Sequence, residues 1–107
     1  MRMLMTVKLP NTEFNAAVRY GSASKTLSRI LEESAAEAVY FTEIQGQRSV
    51  LLVVNIADPS QIPRYAEPWF LSFNAAVELN VAMTPEDIRK AGIEELGRSW
   101  IPNPNLK

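Results

Sequence analysis

Two amino acids, cysteine and histidine, are missing from this chain of 107 residues. The absence of cysteine excludes disulfides, a thiolate nucleophile and cysteine-ligated zinc or iron–sulfur clusters. The absence of histidine removes the commonest general base and metal ligand, and with it a Ser-His-Asp triad or a histidine-ligated haem. Any chemistry must therefore use Asp, Glu, Lys, Tyr, Ser, Thr, Asn, Arg or backbone groups, or a bound cofactor, and we predict no cofactor.

Strong charge and long apolar runs are also lacking. The net charge is −1 and the 11 basic residues are spread along the chain, so no basic patch indicates a nucleic-acid partner. The longest apolar run, residues 50–54, is far shorter than the roughly 18 residues that span a membrane. The first residues lack the apolar core of a signal peptide. With 47% hydrophobic and 21% charged residues, we expect an ordinary globular, cytoplasmic protein without a membrane partner.

Hydrophobic periodicity predicts four strands and two main helical regions in the order βαββαβ, followed by a short C-terminal helix. The strands are predicted at residues 1–9, 37–44, 48–56 and 76–83, and the clearest helix at 23–34. This order is typical of the split βαβ, or ferredoxin-like, α+β sandwich. Its antiparallel sheet has the order 4-1-3-2 and carries both main helices on one face. Residues 1–101 are predicted to form this single domain, and residues 102–107 a loose tail.

Glycine, proline and capping residues set the predicted helix boundaries. Gly21 either kinks one long helix or separates two, with Ser22 as the N-cap of the second piece. Pro63 and Pro68 fit early helix positions better than interior ones. The second main helix is therefore expected to become regular near residue 67 or 68 and to run to 74. Thr84, followed by proline and two acidic residues, predicts the start of the C-terminal helix.

The third strand is apolar on both sides, because residues 50–54 are Val-Leu-Leu-Val-Val. A strand of this kind is normally covered on both faces of its sheet. Two helices cover only one face of a four-stranded sheet, and the C-terminal helix is too short to cover the other. The pattern therefore favours a second copy of the sheet, related by a two-fold axis, and so a homodimer or a dimer of dimers.

Four segments carry a family resemblance. They are residues 21–26 (GSASKT), 58–63 (DPSQIP), 66–70 (AEPWF) and 83–87 (MTPED). Over essentially its whole length the chain resembles an uncharacterised small bacterial family of the dimeric α/β-barrel superfamily. The resemblance implies a ferredoxin-like dimer and a range of functions, including cofactor-free monooxygenases, lactone isomerases, haem-degrading enzymes and ligand-sensing domains. The missing histidines exclude the histidine-dependent relatives, and fold alone does not choose among the others.

Strand alternation predicts which side chains lie on the open sheet face. If Gly46 and Gln47 form the two-residue loop of a type II′ hairpin, residues 38, 40 and 42 share a face with 51, 53 and 55. Moving that loop by one position leaves the partition unchanged, whereas a three-residue loop would reverse it. The polar residues predicted on the open face, among apolar neighbours, are Thr6, Lys8, Tyr40, Thr42, Asn55, Glu78 and Asn80.

A few polar groups in an apolar hollow are typical of a small-ligand site. We assign Glu78, if buried, as the candidate general base, and Lys8 as the group that neutralises an anionic substrate or intermediate. Thr6, Tyr40, Thr42, Asn55 and Asn80 are the candidate ligand-binding residues. The alternative is that Lys8 and Glu78 form a structural ion pair on adjacent strands, or lie at the rim of an interface.

Three functions stay open at this point. The first is a cofactor-free monooxygenase or isomerase acting on a small organic molecule. The second is a non-catalytic ligand-binding protein, and the third is a structural oligomerisation module.

Other sequence features are weaker indicators of function: residues 21–26 superficially resemble a phosphate loop but lack the glycine before Lys25. The aromatic residues between 65 and 73 are expected to pack in the core or an interface.

Overall fold

Residues 1–102 are described by a computed structural model, in which the four predicted strands form one antiparallel sheet. The strands are β1 (Arg2–Lys8), β2 (Ala38–Ile44), β3 (Gln47–Asn55) and β4 (Ala76–Val81). They lie in the order β2-β3-β1-β4, with β1 and β3 at the centre. The α+β class and the four-stranded antiparallel sheet are thus confirmed. Most of the predicted tail, residues 103–107, lies outside the described residues.

Helices cover one face of this sheet. They are α1 (Asn11–Tyr20), α2 (Ala23–Ser34) and α3 (Ile62–Phe73), which follows a 3-10 turn at Pro59–Gln61. The side chains of Met5 and Val7 on β1 are fully buried, as are those of Val50, Leu52 and Val54 on β3. They meet Phe14, Ile30, Trp69 and Phe73 from the helices, and the Phe14 and Phe73 rings lie 5.2 Å apart. The alternation of β1 and β3 therefore selects the core face.

The first helical region is two helices. Gly21 ends α1 in the left-handed conformation, at φ 85°, and its N–H donates to the carbonyl of Val18 at 3.1 Å. Glycine adopts this conformation without steric cost, and it turns the chain sharply enough for α2 to start at Ala23. Ser22 occupies the predicted N-cap position but does not cap, because its hydroxyl donates to the carbonyl of Ala17 instead.

The β2–β3 hairpin turns one residue earlier than predicted. Its loop is Gln45-Gly46, and Ile44 pairs with Gln47. Both loop residues have positive φ, 54° and 76°, which is the signature of a type I′ turn and not of the predicted type II′ turn. Because the loop still has two residues, the predicted division of side chains between the two sheet faces is unchanged.

Helix α3 corrects the prediction drawn from its prolines. It is regular from Ile62, with Pro63 in the first turn and Pro68 inside the helix. Pro68 has no N–H to give to the carbonyl four residues earlier, which normally weakens a helix. Trp69 and Phe73 follow it on the same buried face, and this burial outweighs the missing hydrogen bond.

The last strand also ends earlier than predicted, at Val81 instead of residue 83. By strand alternation Val81 and Met83 are expected to point inward with Val77 and Leu79, but their side chains are 58% and 68% exposed. Beyond this point β4 has no neighbouring strand to pair with, because β1 begins at Arg2. The last hydrogen bond between the two segments is from the Ala82 N–H to the Arg2 carbonyl. Ile62, at the start of α3, lines a hollow with Val81 at this end of the sheet but leaves the Val81 side chain exposed.

The C-terminal part of the described chain is an exposed arm. It consists of α4 (Pro85–Ala91) and α5 (Ile93–Ser99), in which every residue is exposed. Thr84 caps α4 as predicted, in a reciprocal capping box with Asp87. The molecule measures 67 × 31 × 22 Å, with a radius of gyration of 19.1 Å, where a compact chain of this length would have about 13 Å. Within residues 1–102 no helix is both long and apolar enough to cross a membrane.

Ala35 provides a test of the α2 terminus. It ends α2 with φ 47°, a left-handed conformation that costs an L-residue about 1–2 kcal/mol. We expect Ala35→Gly to raise the free energy of unfolding by about 0.5–1 kcal/mol, after allowing for the greater freedom of glycine in the unfolded chain. The same change inside α1, Ala16→Gly, should lower it by a similar amount. Urea denaturation measures both, and two changes of the same sign would contradict the assignment.

Candidate functional site

The sheet face away from the helices is an ordered grid of side chains. Across its middle, Tyr40 of β2 lies beside Leu51, Leu51 beside Thr6, and Thr6 beside Glu78 of β4. One row is Thr42, Ser49, Lys8 and Ala76, and the row on the other side is Ala38, Val53, Leu4 and Asn80. The seven predicted polar residues thus belong to one face, and Asn55 lies at its end, opposite Arg2.

These residues are not all neighbours. Thr6, Lys8, Glu78 and Asn80 occupy adjacent positions on β1 and β4, so their side chains can approach a common small molecule. Tyr40 stands three strands from Glu78, a backbone separation of about 14 Å at the usual spacing of neighbouring strands. The structure therefore brings together one compact group on β1 and β4, with Tyr40 and Thr42 on the far edge strand.

The edges of the grid are open to solvent in the single chain, whereas Thr6, Leu51 and Val53 at its centre are half-buried and Ser49 is buried. Tyr40 is 67% exposed and Leu4 is 39% exposed, whereas their neighbours on the helix side, Met5 and Leu52, are fully buried. Glu78 and Asn80 are exposed. The burial on which the role of Glu78 as a general base depends is therefore not supplied by residues 1–102.

Lys8 and Glu78 do not form the structural ion pair of the alternative interpretation. Lys8 lies opposite Ala76, and Glu78 lies opposite Thr6. The Lys8 ammonium donates to the side-chain oxygen of Gln45 at the β2–β3 turn. The ion pairs within residues 1–102 are Arg2–Glu37, Arg29–Glu33 and Arg89–Glu86. Lys8 thus reaches toward the β2–β3 turn, on the side of β1 away from β4, and Glu78 makes no ion pair within residues 1–102.

The end of the face near Asn55 carries contacts that sequence reasoning missed. Arg2 points a guanidinium nitrogen at both carboxylate oxygens of Glu37, at 3.2 Å each. The side-chain oxygen of Asn55 accepts a hydrogen bond from the amino group of Met1 at 2.8 Å. Asn55 is thereby engaged at the edge of the site, away from its centre. The alternation of β1 places Arg2 on this face, but nothing local in the sequence indicates that Glu37 reaches it.

Two carboxyl groups outside the face have perturbed acidity. Hydrogen bonds from the hydroxyl and the backbone N–H of Ser60 hold the pKa of Asp58 below its usual value. Hydrogen bonds from the backbone and side chain of Thr84 lower the pKa of Asp87, with a smaller contribution from the charge of Arg2. Both act as helix-capping groups, so their perturbation indicates local structure and not a catalytic site.

Four surface hollows lie beside the face or elsewhere on the described chain. The hollow between α2 and α3 has a volume of about 570 Å³ and is bordered by Lys25, Arg29 and Arg64. A second, of about 340 Å³, lies between the hairpin and α1 and includes Thr42 at its edge. A third, of about 720 Å³, follows the exposed arm, and a fourth, of about 200 Å³, lies at the root of the arm.

Within residues 1–102 no cluster of acidic residues has the arrangement of a metal site.

Comparisons with protein-family models, with curated proteins and with solved structures find no match to this chain. The resemblance to the dimeric α/β-barrel superfamily therefore stays a prediction. The feature that bears on function is the open face, which has an apolar centre, polar neighbours and no cover from the described helices.

A double-mutant cycle tests the independence of Lys8 and Glu78. We expect Lys8→Met and Glu78→Gln to change the free energy of unfolding additively, with a coupling energy below about 0.2 kcal/mol, because Lys8 is engaged by Gln45. Arg2→Met with Glu37→Gln is the matched cycle for a pair that is in contact, and it should give about 0.2–1 kcal/mol. A coupling of similar size in both cycles would restore the ion-pair interpretation.

Proposed function

We propose that this chain is a homodimer that binds a small organic molecule in a hollow between its two open sheet faces. The observation that carries the proposal is the uncovered grid, which combines an apolar centre with a compact polar group on β1 and β4. A soluble monomer gains nothing from leaving Leu4, Leu51 and Tyr40 on one surface, whereas a two-fold partner would remove all of them from water.

The sizes of the side chains favour a hollow over a solid interface. Stacked sheets lie about 10 Å apart, and large side chains from both faces normally fill that space. Here the central strands carry the smaller side chains of Thr6 and Val53 among the larger residues. Two such faces would meet through Tyr40 and Leu51 and leave room above Thr6. This is the part of the grid beside Glu78 and Asn80.

The polar group defines the chemistry that such a hollow would offer. Lys8 provides a positive charge for an anionic group, and Thr6 and Asn80 provide hydrogen-bonding groups for orientation. Glu78, once covered, could remove a proton from a carbon next to a carbonyl group, and Lys8 would stabilise the resulting enolate. Return of the proton to another carbon gives an isomerase. In a cofactor-free monooxygenase the carbanion instead reacts with dioxygen to give a peroxide at a carbon that still bears a hydrogen; the O–O bond then breaks with loss of water and leaves a new carbonyl group, so the substrate itself supplies both reducing electrons.

The alternative is a non-catalytic ligand-binding or structural oligomerisation module. One observation favours it: Glu78 and Asn80 are exposed in the single chain, as rim residues of an interface often are. In a structural module the two faces would meet without a hollow of ligand size. The two functions share the dimer and differ in what it encloses.

Charge placed at the centre of the face tests the dimer. Native mass spectrometry of the wild-type protein should give twice the 12.0 kDa chain mass. We expect Leu51→Glu to give a folded monomer, because the interface would bury an unpaired carboxylate from each copy. Leu71→Glu is the matched control, since Leu71 is 83% exposed on the helix side, and it should stay dimeric. A monomeric wild-type protein, or a dimeric Leu51→Glu variant, would contradict the proposal.

A second prediction concerns Glu78 and the bound molecule. We expect the native dimer to carry a small molecule, seen as added mass, and Glu78→Gln to lower the loaded fraction at least several-fold without dissociating the dimer. Glu43→Gln, an exposed carboxylate on the opposite face of β2, should leave it unchanged. A variant that retains a molecule with one oxygen atom fewer and two hydrogen atoms more than the wild-type ligand would indicate a stalled monooxygenase. A wild-type dimer without added mass would favour the structural module.

A further inference from the structure

The arm formed by α4 and α5 is amphipathic, although it contacts little of its own chain. Ile93, Leu96 and Trp100 are spaced i, i+3 and i+7, so they form one apolar stripe along α5. Glu94, Glu95 and Arg98 lie on the opposite side. Trp100 is 81% exposed, and Ile93 and Leu96 are both more than half exposed. Gly97 lies within the stripe, with open space around it for a close approach.

Such an arm cannot hold its shape alone. Isolated helices shorter than about 12–15 residues are marginal in water, and α4 and α5 have 7 residues each. The capping box at Thr84 and Asp87 fixes only the start of the arm. The rest needs a surface on which the stripe can pack.

An apolar crevice lies at the root of the arm. It has a volume of about 200 Å³, and its walls include Met3, Ile56, Ile62 and Val81. Val81 is the last residue of β4, so the crevice begins where the arm leaves the sheet. No residue of α4 or α5 lines this crevice and all of them are exposed, so the stripe does not fill the crevice of its own chain.

We infer that α5 of each chain packs its Ile93–Leu96–Trp100 stripe into the crevice of a second copy, by a reciprocal exchange of arms. A two-fold axis requires each surface to meet its complement on the partner, and this chain carries both the stripe and the crevice. The inference rests on the proposed dimer and adds a second, separate surface to it.

The areas involved are of the right size for an interface. A stable complex buries at least about 1,200 Å² in total. An aromatic side chain buries 150–250 Å², so the two Trp100 side chains would contribute roughly 300–500 Å² by themselves. Leu96 and Ile93 from both arms, together with the crevice walls, add to this area. The exchange would thus strengthen a face-to-face dimer and fix its orientation.

Cross-linking between introduced cysteines tests the exchange, because the wild-type chain has no cysteine. Two differently tagged chains are co-expressed, one with Ser99→Cys beside the stripe and one with Ala57→Cys on the crevice wall. Both changes leave the stripe and the large apolar crevice residues intact. A short bismaleimide linker should join the two chains in most of the heterodimers. In the same experiment Lys25→Cys, at the hollow between α2 and α3, replaces Ala57→Cys as the control acceptor and should give at least five-fold less product.

The other outcomes overturn the inference. Efficient linkage of two Ser99→Cys chains to each other would mean that the arms pair directly. Linkage within one chain carrying both Ser99→Cys and Ala57→Cys would mean that the arm folds back. Equal linkage to Lys25→Cys would mean that the contact is not specific. Native mass spectrometry of the same samples separates the two proposals: a monomer refutes the dimer, and a dimer without the 99–57 product refutes the arm exchange alone.

Adding Leu96→Ser and Trp100→Ser to the Ser99→Cys chain removes the stripe. We expect the 99–57 product to fall at least five-fold. Glu95→Ser with Arg98→Ser, on the polar side of the same helix, should leave the yield unchanged. This pair of variants distinguishes apolar docking from a general effect of altering α5, and an equal loss in both would count against the stripe.

Discussion

The unequal cover of the sheet is the constraint on which the rest of the molecule depends. Val50, Leu52 and Val54 of β3 are buried beneath the helices, while Leu51 and Val53, which alternate with them, point to the open side. Apolar surface left in water costs about 25 cal/mol per Å². The helices cover the other face, where Trp69, Phe73 and Phe14 pack in the core, and so do not cover this one. The proposed partner would remove this surface from water, and its chemistry would be set by what the open face presents.

The proposed dimer and the proposed arm exchange depend on different parts of this chain. The face-to-face contact uses the centre of the sheet, around Leu51 and Thr6, whereas the arm exchange uses the end of the sheet at Val81. A flat pair of sheets fixes the distance between two copies but resists sliding and rotation poorly, because apolar contact is non-directional. A stripe of three side chains seated in a crevice fixes direction. Together the two surfaces would specify one arrangement in which the polar groups near Glu78 face a defined neighbour.

Much of the sheet could be predicted because its information is local and repetitive. Side chains alternate between the two faces of a strand, so moving a two-residue loop by one position does not change which residues share a face. Thr6, Tyr40 and Glu78 therefore stay on one face although the loop is Gln45-Gly46. Pro68 was misjudged because the burial of Trp69 and Phe73, a tertiary effect, outweighs its local preference. The exposure of Val81 could not be predicted either, since it depends on where β1 begins and on which surfaces the helices leave bare. Nothing in the local sequence indicates the direction in which the arm leaves the sheet.

The missing histidine connects assembly to any chemistry that this chain performs. With no imidazole available, a carboxylate is the natural base for abstracting a proton from carbon, and a water-exposed carboxylate is a weak one. Desolvation makes carboxylates stronger bases. Glu78 is exposed in the single chain, so only a covering surface could activate it, and the same cover would bring a second Glu78 and a second Lys8 to the hollow. Catalysis and dimerisation are therefore one question for this protein: a monomer would have the residues of the site without the environment that gives them reactivity.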